Sequence, residues 1–224
     1  MNISEDDRRR IAEAVTAAEA TTDAEVATIA ARQSDAYHDV GLHWAVLGMF
    51  LALAIEAAVP GHFVGALDAA AGGGWGMDWP VWLLLTAQIA MLAVVFIALR
   101  YLFAIPRLRM ALTPRATKSR RVRRRAVLLF RASIESRTAT RTGVLLYLSE
   151  AERRAEIVTD AAIHASVPKE AWGAAMAQLT DAIHDDRPGD GMVEAIAAIG
   201  RVLAEHFPRT GTDPNELPDR LIEL

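Results

Sequence analysis

Two long apolar runs in the middle of the chain constrain its fold more than any other feature. The first covers residues 42–59 (LHWAVLGMFLALAIEAAV) and the second covers residues 80–105 (PVWLLLTAQIAMLAVVFIALRYLFAI). A helix rises about 1.5 Å per residue, so each run is close to or beyond the length that crosses a hydrocarbon core of about 30 Å. The sequence therefore predicts a transmembrane hairpin over residues 41–106.

The distribution of basic residues predicts how this hairpin is oriented. Residues 107–125 contain nine basic side chains and no acidic one, whereas the loop at residues 60–79 has no Lys or Arg. Because Lys and Arg near the ends of spans favour the cytoplasmic side, the loop is predicted to face outward. Residues 1–40 and 107–224 are then expected to share the cytoplasmic side of a bacterial plasma membrane, with a multi-pass topology.

The basic stretch is also a candidate membrane-surface contact. Its members are Arg107, Arg109, Arg115, Lys118, Arg120, Arg121, Arg123, Arg124 and Arg125, in a chain whose formal net charge is -4. Each Lys or Arg close to an anionic leaflet contributes roughly 1 kcal/mol of binding. A position directly after an apolar run favours lipid headgroups over nucleic acid, so no nucleic-acid partner is expected.

Two polar residues lie inside the predicted spans. Glu56 is near the end of the first run, and Gln88 lies within the second. A carboxylate in a span is costly unless it meets protein, water or a partner, so Glu56 is interpreted either as an ion or proton site or as an interfacial carboxylate. A transporter or channel subunit would require oligomers, because two helices cannot enclose a pore.

The polar segment before the first run predicts one helix and one strand. Ser4 and Asp7 match the Ser-x-x-Asp pattern that starts helices, and Ile11 and Val15 follow at helical spacing. The alternating segment Glu25–Ala31 predicts a short strand. One helix and one strand cannot bury a core alone, so their partners are expected from the chain beyond the hairpin.

The segment after the hairpin supplies these partners. It predicts a helix over residues 116–137, a buried strand over 142–149, a strand over 155–159, a helix that opens at 167–168 and a last helix capped by Asp190. The predicted fold class is α/β, a small mixed sheet between helices, interrupted by the two-helix transmembrane hairpin. Its parts are residues 1–40 (first helix and strand), 41–106 (hairpin), 107–207 (remainder of the soluble domain) and 208–224 (extended C-terminal tail).

Candidate chemistry outside the basic stretch is sparse. Asp160 and His164 follow a strand and are four residues apart, so they could ligate a divalent cation such as calcium or magnesium, although two ligands do not complete a site. The alternative is a strand-end cap beside an exposed histidine. Four aspartates and a histidine surround a helix break, namely Asp181, Asp185, Asp186, Asp190 and His184, but their spacing does not match an EF-hand loop. The chain has no cysteine, and no motif identifies a nucleophile.

Three segments resemble the TPM domain, which occurs in thylakoid-lumen acid-phosphatase-like proteins, photosystem repair factors and a levamisole-receptor auxiliary protein. They are AEATTDAEVATIAARQSDAY (residues 18–37), RTGVLLYLSEAERRAEIVTDAAI (141–163) and HFPRTGTDPNELPDRLIEL (206–224). The chain is most similar to a bacterial membrane-protein branch in which a hairpin interrupts the domain after its first strand. This resemblance implies an α/β/α sandwich.

The resemblance also implies two possible functions. Several relatives bind calcium or other divalent ions, and some are described as phosphatases; their Gly-x-Gly turn is replaced here by Asp160-Ala161-Ala162. The recurring association of the family with membrane complexes favours a membrane-anchored binding or assembly module without catalysis of its own. Its expected partners are the bilayer and a membrane protein or a second copy of the chain. The alternative is a metal-dependent, membrane-bound phosphatase.

Overall fold

The computed structural model describes residues 3–59, 61–72, 78–133, 142–210 and 219–224. The chain forms two compact units. Met1–Ala36 and Arg115–Leu224 together make the α/β unit, and Tyr37–Pro114 makes the apolar helical unit. The division falls at residues 37 and 114, whereas the sequence predicted a hairpin over residues 41–106.

The secondary structure follows the predicted order with several short additions. In chain order the elements are α1 (Glu5–Glu19), β1 (Glu25–Ala31), α2 (His38–Ala58), α3 (His62–Ala70), α4 (Val81–Leu102), α5 (Pro106–Leu112), α6 (Arg115–Ser133), β2 (Gly143–Ser149), β3 (Arg154–Thr159), α7 (Ala161–Ser166), a 3-10 turn (Lys169–Trp172), α8 (Gly173–His184), α9 (Pro188–His206) and β4 (Ile222–Glu223).

The α/β unit contains a four-stranded mixed sheet with the order β3-β2-β1-β4. β1 runs parallel to both β2 and β4, and β2 runs antiparallel to β3. All seven residues of β1 and all seven of β2 are buried, because helices cover both faces of these central strands. The predicted α/β class with a small mixed sheet is therefore confirmed.

Two hydrophobic clusters cover the two faces of the sheet. On one face α1, α8 and α9 contribute residues such as Ile11, Leu179 and Ile196. On the other face α6 contributes Val122, Ala126 and Phe130, which pack against Ile29 and Tyr147 among others. The sheet therefore lies between helical layers, as the sandwich prediction required.

Close approach of α1 and α9 depends on Gly200. A Cβ atom at this position would lie 2.8 Å from the Cβ of Ala18 and 3.2 Å from its Cα. The second atom belongs to the backbone, so α1 itself would have to move to accept a larger residue. Gly200 thus allows α9 to pack closely against α1.

Element boundaries differ from the sequence predictions in informative places. The helix predicted over 116–137 begins at Arg115 and is described as far as Ser133; residues 134–137 lie outside the described residues, as do 211–218 of the tail. α9 starts at Pro188, so Asp190 lies in its first turn rather than at the cap. Proline is favoured at the first helical position because its missing N–H would have no helical partner there.

The apolar helical unit contains two helices that are long and apolar enough to cross a membrane, α2 with 21 residues and α4 with 22. The two helices pack against each other. Large apolar side chains remain exposed on both, including Phe50 at 64%, Ile89 at 69% and Val94 at 66%.

Candidate anion-binding surface on helix α6

Helix α6 presents basic side chains because its apolar residues occupy one narrow stripe. Val122, Ala126 and Phe130 recur at four-residue spacing and are buried against the sheet. Seven of the nine predicted cations lie on this helix: Arg115, Lys118, Arg120, Arg121, Arg123, Arg124 and Arg125. The arginines are thus directed to the flanks and the outer face of α6.

One flank forms a cationic cavity of about 270 Å³ beside the segment that follows β1. Ser34, Asp35, Arg121, Arg124 and Arg125 line it together with an exposed Leu128. Arg121 Nη1 lies 2.9 Å from Asp35 Oδ1. Arg124 and Arg125 are exposed and form no salt bridge with any residue that the structure describes. Two guanidinium groups are therefore available to an anion.

A polar network lies behind this cavity, at the carboxyl ends of β1 and β2. Ser34 Oγ donates to Ser149 Oγ at 2.7 Å and lies 2.9 Å from the Tyr147 hydroxyl. Ser149 Oγ donates to the Glu152 carboxylate, which also accepts the Ser34 backbone N–H at 3.1 Å. Burial raises the pKa of the Tyr147 phenol, while its hydrogen bonds with Ser34 and Ser149 oppose that change. The hydroxyl groups of this network and the Glu152 carboxylate thus form hydrogen bonds with one another.

Sequence analysis did not identify Ser34 or Glu152. They are 118 residues apart, and they meet because Ala31 pairs with Ser149 in the parallel register of β1 and β2. Carboxyl ends of adjacent parallel strands are where ligands commonly bind in α/β proteins. Polar residues that directly follow two predicted strands could have indicated this site. The sequence of neither segment, however, specifies that the two strands pair.

The other cations of the predicted stretch differ in their surroundings. Arg123 faces β3, where its Nη1 lies 3.2 Å from Glu156 Oε2. Burial raises the pKa of the Glu156 carboxyl, and Arg123 opposes that shift. In the apolar helical unit Arg107 is exposed on α5, but Arg109 is only 8% exposed and its Nη1 lies 3.1 Å from His38 Nδ1. Arg109 is therefore largely buried, and its predicted role at the membrane surface stays a prediction.

Comparison with known proteins agrees with this architecture. The model of the TPM domain family matches residues 107–202. The chain carries a TPM domain. Among solved structures, the NMR structure of the BA42 protein from the psychrophilic bacterium Bizionia argentinensis is similar, with a TM-score of 0.57 and 15% identity, covering 100% of this chain and 97% of that one. At this identity the similarity concerns the fold alone. A search of curated proteins gave no match.

The match to the TPM domain leaves out three elements of the α/β unit, namely α1, β1 and β4. α1 and β1 precede the apolar helical unit in sequence, whereas the match begins at residue 107. In space β1 pairs with β2 along its whole length. The α/β unit, which contains most of the matched residues, is therefore assembled from two segments of chain that the apolar helices separate.

Asp160, directly after β3, hydrogen-bonds to the first residue of β2. Its Oδ2 accepts the Gly143 N–H at 2.9 Å, and its own N–H donates to the Gly143 carbonyl at 3.0 Å. Because β3 is antiparallel, Asp160 lies at the amino end of β2, opposite the Ser149 network. His164 is exposed on α7. The described residues contain no group of three or more His, Cys, Asp or Glu that could hold a metal ion, so the metal site stays a prediction.

The acidic residues around the break between α8 and α9 are engaged in ion pairs. Asp186 Oδ1 lies 2.7 Å from Arg153 Nη2, and Asp185 Oδ2 lies 3.1 Å from Arg187 Nη2. Asp190 contacts Arg10 across the α1–α9 interface. These carboxylates, which lie near the end of α8 and in the first turn of α9, therefore act as counter-ions for arginine side chains.

Glu56 and Gln88 form a polar contact between the two apolar helices. The Gln88 amide donates to Glu56 Oε2, whereas Glu56 Oε1 is buried without a hydrogen-bond partner in the described part of the chain. A hydrogen bond across a helix pair compensates part of the cost of placing a carboxyl group in an apolar segment. Whether Glu56 binds an ion or proton stays a prediction.

A second polar cavity, of about 170 Å³, lies between the end of α1 and the start of β1. Glu19, Glu25 and Asp219 line it. The pKa of Glu19 is raised from its ordinary value of 4.5 to about 8, mainly by burial and also by the carboxylates of Glu25 and Asp219. The Val26 N–H, which donates to Glu19 Oε1 at 2.9 Å, opposes this shift. Glu19 is therefore protonated in the folded protein near neutral pH.

We expect stability to fall as the pH rises because of Glu19. The folded state retains the Glu19 proton up to about pH 8, whereas the unfolded chain releases it near 4.5, so the penalty grows across that window and is complete above it. Glu19→Gln keeps an acceptor for Val26 and should flatten this dependence, with its largest stabilising effect above about pH 8. Unfolding free energies measured between about pH 5 and pH 9 test this. Glu13→Gln, on the exposed side of α1, is the control; equal slopes for both variants would contradict the assignment.

Proposed function

We propose that this protein is a membrane-anchored TPM domain that acts as a binding or assembly module on the cytoplasmic face of a bacterial plasma membrane. The observation that carries the proposal is the exposure of apolar side chains along α2 and α4. Exposed apolar surface of this extent is unfavourable in water and favourable in lipid. Two spans also return the chain to its starting side, where the α/β unit can be completed.

The orientation follows from the same basic residues that line α6. The loop at residues 60–79 has no Lys or Arg in its sequence, whereas residues 107–125, which follow α4, have nine. Retention of these residues in the cytoplasm places both termini there. The α/β unit is then made and folded on the cytoplasmic side.

Helix α6 supplies the chemistry for contact with anionic lipid. Guanidinium groups bind phosphate oxygens through paired N–H donors, and Arg124 and Arg125 form no salt bridge with other described residues. The adjacent Ser34 lines the same cavity, but its hydroxyl donates to Ser149, so the arginines supply the donors for an anion. We interpret this flank as the part of the TPM domain that contacts phospholipid headgroups, with each exposed cation contributing about 1 kcal/mol.

The strand-end network supports binding rather than catalysis. A serine nucleophile needs a base that can take its proton and space for a substrate beside its oxygen. The Ser34 hydroxyl instead donates to Ser149, which donates to Glu152, and Glu152 also accepts the Ser34 N–H. These bonds hold the loop after β1 in place. The proposed partners are a membrane protein or a second copy of the chain.

Single-cysteine labelling tests the anchoring and the topology, since the chain has no cysteine of its own. Ala17→Cys on α1 and Ala70→Cys on α3 are both exposed positions. A membrane-impermeant maleimide applied to intact spheroplasts should label the cysteine at position 70, and should label that at position 17 only after lysis. Labelling of both positions before lysis would contradict the hairpin topology.

Co-purification tests the assembly role separately. Membranes solubilised in a mild detergent should yield the full chain with a stoichiometric second polypeptide, or as a defined oligomer, as measured by size-exclusion chromatography with light scattering. Repeated recovery of a monodisperse single chain would contradict the assembly role while leaving the topology result unaffected.

A further inference from the structure

Strand β3 forms one edge of the sheet and offers backbone groups to a partner. Asp160 donates its N–H to Gly143, and hydrogen-bonded pairs alternate along an antiparallel ladder, so Val158 and Glu156 bond β2 in the same way. Ala155 and Ile157 alternate with these two residues along β3 and therefore direct their N–H and C=O groups away from β2. No strand among the described residues pairs with this outer edge.

The opposite edge of the sheet is much shorter. β4 contains two residues, Ile222 and Glu223, and pairs with β1 over those two positions. β3 has six residues, all of them partly exposed. Within the described strands, β3 is therefore the longer template for a further strand.

The outer edge of β3 lies in a groove between α6 and α8. Two cavities of about 280 Å³ and 470 Å³ follow the edge, and both are lined by Ala155 and Met176. Ile157, Trp172 and Met176 give the first cavity an apolar floor, while Thr180 and His184 of α8 line the second. An added strand would place alternate side chains over this floor.

The rim of the groove is strongly cationic. Six basic side chains line the two cavities, namely Arg115, Lys118, Arg123, Arg153, Arg154 and Lys169, against two acidic ones. Arg123 is paired with Glu156 and Arg153 with Asp186. Arg115, Lys118 and Lys169 form no salt bridge with other residues in the described ranges. This positive rim contrasts with the net charge of -4 of the whole chain.

We propose that the β3 edge binds an extended acidic segment of a partner protein, which adds to the sheet as a fifth strand. The proposal rests on the binding role proposed above and gives that role a site and a partner chemistry. Main-chain hydrogen bonds to Ala155 and Ile157 provide affinity, and the cationic rim and the Trp172–Met176 floor select acidic residues that alternate with apolar ones. Edge-to-edge pairing with a second copy is disfavoured, because it would bring two cationic rims together.

The proposal is tested with short peptides and the purified full-length protein in detergent. The probe is a fluorescent octapeptide of alternating glutamate and valine, and binding is measured by anisotropy. A second peptide carries N-methyl groups on every other amide, which removes the hydrogen bonds on one edge but retains all charges; a third replaces glutamate with lysine. We expect the first peptide to bind, the N-methylated one to bind at least about tenfold more weakly, and the lysine peptide to show no binding.

Substitutions in the rim complete the test. Lys118→Gln combined with Lys169→Gln should weaken binding of the acidic peptide, whereas Arg201→Gln, an exposed arginine of α9, should not. Equal affinity for the N-methylated peptide would overturn strand addition, and equal affinity for the lysine peptide would overturn the acidic preference. Self-association of the chain without peptide binding would assign the edge to a second copy and overturn the proposal. Each result is independent of the topology measured by cysteine labelling.

Discussion

Replacing both Ile89 and Val94 of α4 with arginine is expected to remove the protein from the membrane fraction. Both side chains lie near the middle of a 22-residue apolar helix and are more than half exposed. An arginine at the centre of a span costs roughly 2.5–3.5 kcal/mol for insertion, so two together should reduce insertion of this helix by orders of magnitude. Carbonate extraction and sedimentation measure the loss.

The matched control for this change is Tyr101→Arg. Tyr101 is also exposed, but it lies at the end of α4 beside Arg100, where an arginine can reach the headgroup region. We expect this variant to remain in the membrane fraction. Full retention of the double variant would mean that α4 does not cross the bilayer, and the anchoring proposal would fail.

Replacing Leu146 with alanine is expected to cause the largest loss of stability in the α/β unit. Leu146 is fully buried on the central strand β2 and belongs to the cluster that α1, α8 and α9 cover. Truncation of such a leucine removes apolar contacts and leaves a cavity, at a cost of about 2–5 kcal/mol. Denaturant unfolding of the detergent-solubilised chain, followed by limited proteolysis, measures the change.

Leu128→Ala provides the comparison for this substitution. Leu128 is 53% exposed on α6, so its truncation removes little buried surface and should change stability by less than about 0.5 kcal/mol. A similar loss for the two variants would show that the β2 core is not the stabilising centre of the unit.

The elements that the sequence predicted well are those with a strong and local pattern. Residues 143–148 are a continuous apolar stretch, and they form the buried central strand β2 as predicted. The two apolar runs became α2 and α4 because their length and hydropathy leave few alternatives. The amphipathic stripe Val122, Ala126 and Phe130 likewise gave α6 its buried face.

The elements that the sequence did not predict depend on contacts between distant segments. β4 is two residues long, and it forms because Ile222 pairs with Ile29 of β1. The Ser34–Glu152 contact exists through the β1–β2 register, which neither segment specifies alone. Asp160 was predicted at a ligand-binding strand end, but the antiparallel direction of β3 places it at the opposite end of the sheet from Ser149.

The separation of β1 from β2 in sequence sets the order in which the protein can be made. Glu25 pairs with Gly143, so the partner of β1 leaves the ribosome 118 residues after it. At about 5–20 residues per second this delay is roughly 6–24 s, during which a strand destined for the interior has no neighbour. In the membrane-anchored arrangement proposed above, insertion of the two apolar helices falls within this interval. Under that proposal, membrane integration precedes closure of the sheet, and a chain arrested before β2 would expose the apolar strand β1 without its partner.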